Sequence, residues 1–107
     1  MSAAGETRLL VARFEDVADG DVIAVTAGDR QLALYRVGSS LYATDNRCTH
    51  GAARLCDGFL DGYAIECPLH QGTFDIRTGA VQRPPAEVPL RTYRVEVEGG
   101  NVYVMLG

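Results

Sequence analysis

The sequence predicts a single all-β domain, and three observations support this prediction. Apolar and β-branched residues occur in short runs that glycine, serine or aspartate interrupt. No segment keeps apolar residues at spacings of three and four over three helical turns, so long helices are not expected. The 12 glycines can supply many turns, and 107 residues with 47% hydrophobic content suffice for one domain.

Strands are predicted in order along the chain at 8–14, 22–26, 31–37, 41–44, 92–97 and 102–106. Gly38-Ser39-Ser40 separates the third strand from the fourth at the length of a hairpin turn. Apolar and charged residues alternate over 92–97, as in a strand with one buried face. Gly99-Gly100-Asn101 then turns the chain into the last strand, which gives a second hairpin.

The middle of the chain differs from its two ends. Strand signals are short over residues 45–85, and this segment holds both histidines and all three cysteines. We therefore expect one domain over residues 1–107, with a β framework made of about 1–44 and 86–107. A subdomain of about 45–85 is inserted into that framework.

The charged residues exclude one class of partner. The formal charge is −4, and all ten basic residues are arginines scattered singly along the chain. A nucleic-acid-binding protein usually has a basic stripe, so no nucleic-acid partner is expected. Four acids are grouped in one short segment, and two interpretations remain open: a solvated turn, or part of a negative surface that steers a basic protein. These are Glu15, Asp16, Asp19 and Asp21.

The apolar runs and the cysteine count bear on location. The longest apolar run is 102–106, far shorter than the roughly 18 residues of a membrane span, so no membrane partner is expected. Residues 1–7 lack the pattern of a secretory signal. Three cysteines make an odd count, which disfavours a disulfide framework. A cytoplasmic protein is the resulting expectation.

Two short motifs contain both histidines of the chain. They are Cys48-Thr49-His50 and Cys67-Pro68-Leu69-His70, with 16 residues between His50 and Cys67. Two such loops, brought together, would supply two sulfur and two nitrogen ligands. A structural zinc site accepts this set but usually pairs Cys with Cys and His with His along the chain. A [2Fe–2S] cluster with a Cys pair on one iron and a His pair on the other fits one Cys and one His per loop, and is favoured.

Residues 48–75 resemble the cluster-binding region of the soluble Rieske ferredoxins of bacterial aromatic-ring-hydroxylating dioxygenases, and the strong resemblance spans 42–85. It implies the Rieske fold, an antiparallel β-sandwich framework with an inserted cluster-binding subdomain. It also implies one Rieske 2Fe–2S cluster, with Cys48 and Cys67 on the inner iron and His50 and His70 on the outer iron. Histidine ligation leaves the oxidised cluster neutral, so it accepts an electron more readily than an all-thiolate cluster.

The function implied by the resemblance is electron transfer and not catalysis. Single electrons would pass from a flavoprotein ferredoxin reductase to a terminal aromatic-ring-hydroxylating dioxygenase. Two related alternatives are the small Rieske-like subunit of an assimilatory nitrite reductase and the ferredoxin of another hydroxylase system. A zinc-stabilised interaction module is a more distant alternative.

The sequence departs from the respiratory Rieske pattern in both loops. The cysteines that form a disulfide there are replaced by Leu69 and by Ala52 or Ala53. The serine and tyrosine whose hydroxyls bond to cluster sulfurs are replaced by Gly72 and Phe74. Fewer donors to sulfur destabilise the reduced cluster, so a potential near about −150 mV is expected.

Several other residues have expected roles near the loops. Cys56 is interpreted as a small packing thiol, with a redox role as the alternative. Arg83-Pro84-Pro85 resembles the proline loop that covers the cluster in this family, with an ordinary rigid turn as the alternative. Phe74 is expected to pack under the cluster. Tight loop geometry or close backbone approach to the cluster is expected at three glycines: Gly51, Gly72 and Gly79.

Overall fold

The computed structural model describes residues 7–49, 51–69 and 71–106. Within these ranges the chain forms antiparallel β-sheets, two short 3₁₀ turns and no α-helix. The predicted fold class is confirmed. No helix in the described part of the chain has the length and apolar character needed to cross a bilayer.

The described residues form eleven strands in three sheets. The central sheet has the order β2-β3-β4-β9, the outer sheet β1-β11-β10, and the cap sheet β5-β6-β7-β8. The strands are β1 Thr7–Arg13, β2 Val22–Ala27, β3 Arg30–Val37, β4 Ser40–Asp45, β5 Phe59–Asp61, β6 Ala64–Glu66, β7 Thr73–Asp75, β8 Val81–Arg83, β9 Thr92–Tyr93, β10 Val95–Glu98 and β11 Asn101–Leu106. The 3₁₀ turns are Phe14–Asp16 and Leu55–Asp57.

Strand β3 lies between two hydrophobic cores. Leu32 and Leu34 belong to the core shared with the outer sheet, which also contains Val102. Ala33 and Tyr35 belong to the core shared with the cap sheet. Successive side chains of a strand point to opposite faces, so β3 is apolar at consecutive positions because both of its faces are covered.

The predicted strand at 92–97 is wrong in one respect: it is two strands. β9 pairs with β4 in the central sheet, whereas β10 pairs with β11 in the outer sheet. The chain changes sheets at Arg94, whose carbonyl accepts a hydrogen bond from the Met105 N–H at 3.0 Å. The alternating pattern persists through this change because it reports which face is buried and not which strand is the partner.

The cap sheet lies within the segment expected to be inserted. Its four strands all fall between residues 59 and 83, and the framework strands fall at 7–45 and 92–106. The division of residues 1–107 at about 45 and 85 stays a prediction.

Two of the four grouped acids, Asp19 and Asp21, lie at the end of the central sheet where β3 turns into β4, and the other two lie beside Arg13 at the end of β1. Three of their carboxylates accept backbone N–H bonds at 2.7–2.9 Å, from Arg13, Gly38 and Val22. Cys48 follows the opposite end of β4. The contacts favour the interpretation as a turn, since two of these carboxylates bond within their own segment and the third bonds to the turn between β3 and β4.

Candidate metal centre

The first loop leaves the central sheet after β4 and returns through the 3₁₀ turn before β5. Its two arms are joined by a β-bridge between Arg47 and Arg54. The Cys48 N–H donates to the Ala53 carbonyl at 2.9 Å. This arrangement holds Cys48 in the protein interior with only 2% of its surface exposed.

The second loop joins two neighbouring strands of the cap sheet, β6 and β7. The Cys67 N–H donates to the Gly72 carbonyl at 2.9 Å, which closes the loop. Gln71 has a φ of 64°, so the chain makes a left-handed bend there. Cys67 is also 2% exposed.

The two loops bring the thiols of Cys48 and Cys67 together. Burial, the hydrogen bond with Cys48 and the charge of that group raise the pKa of Cys67 to about 11, while the Leu69 backbone N–H opposes the shift. Both thiols lie in the core between the central and cap sheets, with Phe74 and Ile65. A metal ion must displace both protons to bind here, because thiolate is the ligand form.

The other two predicted ligands, His50 and His70, lie outside the described residues. The described residues beside them are nearer the surface than the cysteines. Thr49, Leu69 and Gln71 are exposed, and Gly51 is half-buried.

The segment 84–90 lies against both loops. The Thr49 hydroxyl donates to the Val88 carbonyl at 2.6 Å. A Cβ on Gly72 would lie 3.0 Å from the Cβ of Ala86 and 3.0 Å from its nitrogen. These contacts are with the first and second loops respectively, and the covering role expected for Arg83-Pro84-Pro85 stays a prediction.

The glycine predictions have different outcomes. Gly72 is required by the close approach of Ala86, and its φ is not in the left-handed region. Gly79 has a φ of 81°, and its added Cβ would lie 2.1 Å from the Leu90 carbonyl oxygen. Nothing lies within 4 Å of the corresponding Cβ position at Gly51, and the expected approach of its backbone to the cluster stays a prediction.

Sequence reasoning missed two residues that shape the first loop. Asn46 is 2% exposed and holds both arms of the loop through hydrogen bonds. Thr49 bonds to the segment 84–90. The available signal for Asn46 was its position, since a polar residue between a strand and a ligand loop is suited to bonding loop backbone.

The donor set fits one half of a binuclear cluster. Two thiols from separate loops meet in one buried position, and each motif also contains a histidine. A Rieske [2Fe–2S] cluster needs such a cysteine pair on its inner iron. The described residues therefore fit the predicted group.

Comparison with known proteins identifies the family. Residues 7–94 match the family model "Rieske [2Fe-2S] domain". The chain is 52% identical over 96 residues to the ferredoxin component of the naphthalene 1,2-dioxygenase system of Pseudomonas aeruginosa, covering 90% of this chain and 91% of that protein.

Solved structures are similar over the same extent. A chain in the complex of reduced oxygenase and oxidised ferredoxin of carbazole 1,9a-dioxygenase superimposes with a TM-score of 0.86 at 46% identity, covering 91% of each chain. A protein described as a nitrite reductase small subunit from Mycobacterium tuberculosis has a TM-score of 0.84, 95% and 96% coverage, and 19% identity. The last likeness shows the fold alone. The chain therefore belongs to the Rieske [2Fe–2S] family, within the group that contains the ferredoxin components of dioxygenase systems.

Proposed function

We propose that this protein is a one-electron carrier that links a flavoprotein ferredoxin reductase to a terminal aromatic-ring-hydroxylating dioxygenase. The observation that carries the proposal is the 52% identity to a dioxygenase-system ferredoxin across 91% of that relative. The similar fold in a ferredoxin–oxygenase complex supports the oxygenase as one partner. The protein is the carrier component of such a system and not its catalyst.

The Rieske cluster would be held by Cys48 and Cys67 on the inner iron and by His50 and His70 on the outer iron. The burial and contact of the two thiols support the inner assignment. When bound, the cluster accepts one electron and releases it to the next protein. The segment 45–85 would form the inserted subdomain that carries both loops.

The described residues around the loops would exclude water from the sulfurs and present a surface to the partners. The Leu69 backbone N–H points to the Cys67 sulfur, where it stabilises negative charge. Leu69 and Val88 are 47% and 58% exposed. They offer apolar contact area on the second loop and on segment 84–90.

The protein would work in the cytoplasm. Its three cysteines form no disulfide among the described residues, and the half-buried Cys56 is a free thiol. Free thiols suit a reducing compartment.

Reconstitution tests the proposal. The purified protein should be brown, with about two irons and two sulfides per chain. After reduction, its EPR signal should have an average g value below the free-electron value. It should restore product formation when added to a flavoprotein reductase and the oxygenase of a naphthalene-type dioxygenase system.

Two results would contradict the proposal. Stoichiometric zinc without acid-labile sulfide would exclude the cluster. An intact cluster that the reductase reduces, but that no aromatic-ring dioxygenase oxidises, would exclude the assigned partner.

A further inference from the structure

We propose that Asn46 is a positioning residue for the first loop and that Cys56 is its hydrogen-bond partner. This gives the third cysteine a role that is neither ligation nor redox chemistry. The inference rests on the proposed function in one respect, because Cys48 is the ligand being positioned.

The side chain of Asn46 makes two bonds to one residue. Its Oδ1 accepts from the Cys56 backbone N–H at 2.9 Å, and its Nδ2 donates to the Cys56 Sγ at 3.3 Å. Asn46 is 2% exposed, so water cannot readily replace either bond. Leaving these buried groups unpaired would be costly.

The backbone of Asn46 completes the closure of the loop. Its carbonyl accepts from the Leu55 N–H at 2.6 Å, and its own N–H donates to the Gln31 carbonyl at 3.1 Å. Asn46 therefore joins the outgoing arm, the returning arm and the central sheet at one point. The next pairings between the two arms, further into the loop, are the Arg47–Arg54 bridge and the bond from the Cys48 N–H to the Ala53 carbonyl.

The two residues before Asn46 are fixed differently. The Thr44 hydroxyl lies 2.7 Å from the Tyr35 hydroxyl within the central sheet. The Tyr93 hydroxyl donates to Asp45 Oδ1 at 2.5 Å, which ties β9 to β4. The Asn46 side chain bonds instead to the returning arm of the first loop, so it connects that loop to the central sheet.

The geometry also explains how Cys56 can be replaced. A serine hydroxyl can accept from the Asn46 Nδ2, as the thiol does, whereas alanine cannot. Both substitutions preserve the backbone N–H that bonds Oδ1. Cys56→Ser should therefore behave like the wild type, and Cys56→Ala should lose one of the two side-chain bonds.

The experiment compares Asn46→Ala, Cys56→Ala and Cys56→Ser in the cluster-loaded protein. Asn101→Ala is the matched control, because it removes the acceptor of an exposed bond from Arg13 at 3.3 Å, on the outer sheet. Three properties are measured: bleaching of the visible absorbance in excess chelator, amide hydrogen exchange at Cys48 and Leu55, and the linewidth of the EPR signal of the reduced cluster.

We expect Asn46→Ala to lose its cluster about tenfold faster than the wild type, because it removes both side-chain bonds and leaves the Cys56 backbone N–H without its acceptor. Exchange at Cys48 and Leu55 should accelerate, and the EPR lines should broaden as the loop samples more arrangements. Cys56→Ala should show the same changes to a smaller degree. Cys56→Ser and Asn101→Ala should match the wild type.

The inference fails if Asn46→Ala matches Asn101→Ala in cluster lifetime, exchange and linewidth. It also fails if Cys56→Ser is as defective as Cys56→Ala, because the acceptor would then not matter. If Asn46→Ala does not fold, the comparison of the two Cys56 variants still decides the question. A wild-type protein without a [2Fe–2S] cluster would refute the proposed function instead.

Discussion

Cys48 and Cys67 combine two properties that side chains rarely share. Each is 2% exposed and packs with apolar residues, and each belongs to a motif that can bind metal. A buried thiol in apolar surroundings keeps its proton, as the raised pKa of Cys67 shows. At the residue scale, an iron bound to both sulfurs would make these two positions compatible with thiolate.

Single substitutions separate the ligands from the third cysteine. Replacing Cys48, His50, Cys67 or His70 by Ala should abolish the assembled cluster, because each leaves an iron under-coordinated. Cys56→Ser should retain full colour and EPR signal. Visible spectra and iron content of the five purified variants check this. Loss of the cluster in Cys56→Ser but not in Cys48→Ala would mean that the ligands are misassigned.

Phe74→Tyr tests how the protein sets its potential. Phe74 is fully buried in the core that contains both cysteines. A hydroxyl that donates to a cluster or cysteine sulfur favours the reduced form. A bond worth roughly 1.4 kcal/mol corresponds to about 59 mV for one electron, so a rise of some tens of millivolts is expected.

Protein-film voltammetry measures this shift, with Phe59→Tyr as the control. Phe59 is 63% exposed on the cap sheet, so its new hydroxyl would reach solvent and leave the potential unchanged. An unchanged or lower potential in Phe74→Tyr with an intact cluster would show that position 74 does not face a sulfur. Gly72→Ser is a poorer probe, because the close contact with Ala86 leaves no room for a side chain.

At the scale of elements, the segment 84–90 is held in position by a hydrogen bond to the turn after β7. The Leu90 N–H donates to the Gly79 carbonyl at 2.8 Å. The same segment reaches the first loop through Thr49 and the second through Gly72. A substitution at Gly79 should therefore disturb the structure of both loops.

Gly79→Ala should destabilise the protein by about 3 kcal/mol or more, because the new Cβ would collide with the Leu90 carbonyl oxygen at a left-handed φ. Gly62→Ala is the matched control. Gly62 also has a positive φ, 59°, but nothing lies within 4 Å of its Cβ position. The Gly62→Ala substitution should lower the free energy of unfolding by only about 1 kcal/mol. Denaturant unfolding of both variants checks the difference, and equal losses would contradict the proposed crowding.

Asp75 and Arg77 provide a pH-dependent contact at the end of β7. Hydrogen bonds from Arg77 hold the pKa of Asp75 below its ordinary value of 3.8, although burial acts in the opposite direction. A lowered folded-state pKa stabilises the protein above the unfolded pKa, and this contribution is lost as the pH falls through the folded one.

Asp75→Asn should reduce the free energy of unfolding by about 1–2 kcal/mol at neutral pH, since Arg77 is half-exposed and water screens part of the attraction. The difference in the free energy of unfolding between this variant and the wild type should be constant at higher pH and should shrink below pH 3.8. Urea unfolding followed by circular dichroism over a pH series measures it. A difference that persists undiminished in acid would rule out the carboxylate charge as its cause.

How far the sequence predicts these elements depends on their length. Framework strands such as β2 and β3 carry enough apolar residues to be placed almost to the residue. The cap strands have three residues each, too few to show a period, so only the segment as a whole could be delimited. The ligand motifs were visible because cysteine and histidine are rare here. The bonds of Asn46 were not, because they join positions ten residues apart in a loop without regular structure.

At the scale of the whole molecule, the two cysteines proposed as cluster ligands belong to one of the two cores that the described residues form. The core between the central and cap sheets contains Cys48 and Cys67, whereas the core between the central and outer sheets contains no cysteine among the described residues. A bound cluster would cross-link the two loops and so hold the cap sheet against the central sheet.

Removing the cluster should therefore loosen the molecule unevenly. Chelation should accelerate hydrogen exchange most strongly in the cap sheet and the two loops, and least in β1 and β11. Exchange detected by mass spectrometry on the loaded and the chelated protein checks this, with Val104 and Ile65 as reporters of the two cores. A uniform increase over all three sheets would contradict it.

The alternation along β3 also has a consequence for protein engineering. The face of β3 that meets the cap sheet is formed by Ala33 and Tyr35, while Leu32 and Leu34 serve the other core. A cap segment transplanted from another member of the family would therefore have to match only one side of this strand. Chimeras that exchange residues 45–85 together with positions 33 and 35 should keep the recipient's framework and acquire the donor's redox properties. The reduction potential and the thermal resistance of the protein could then be selected separately.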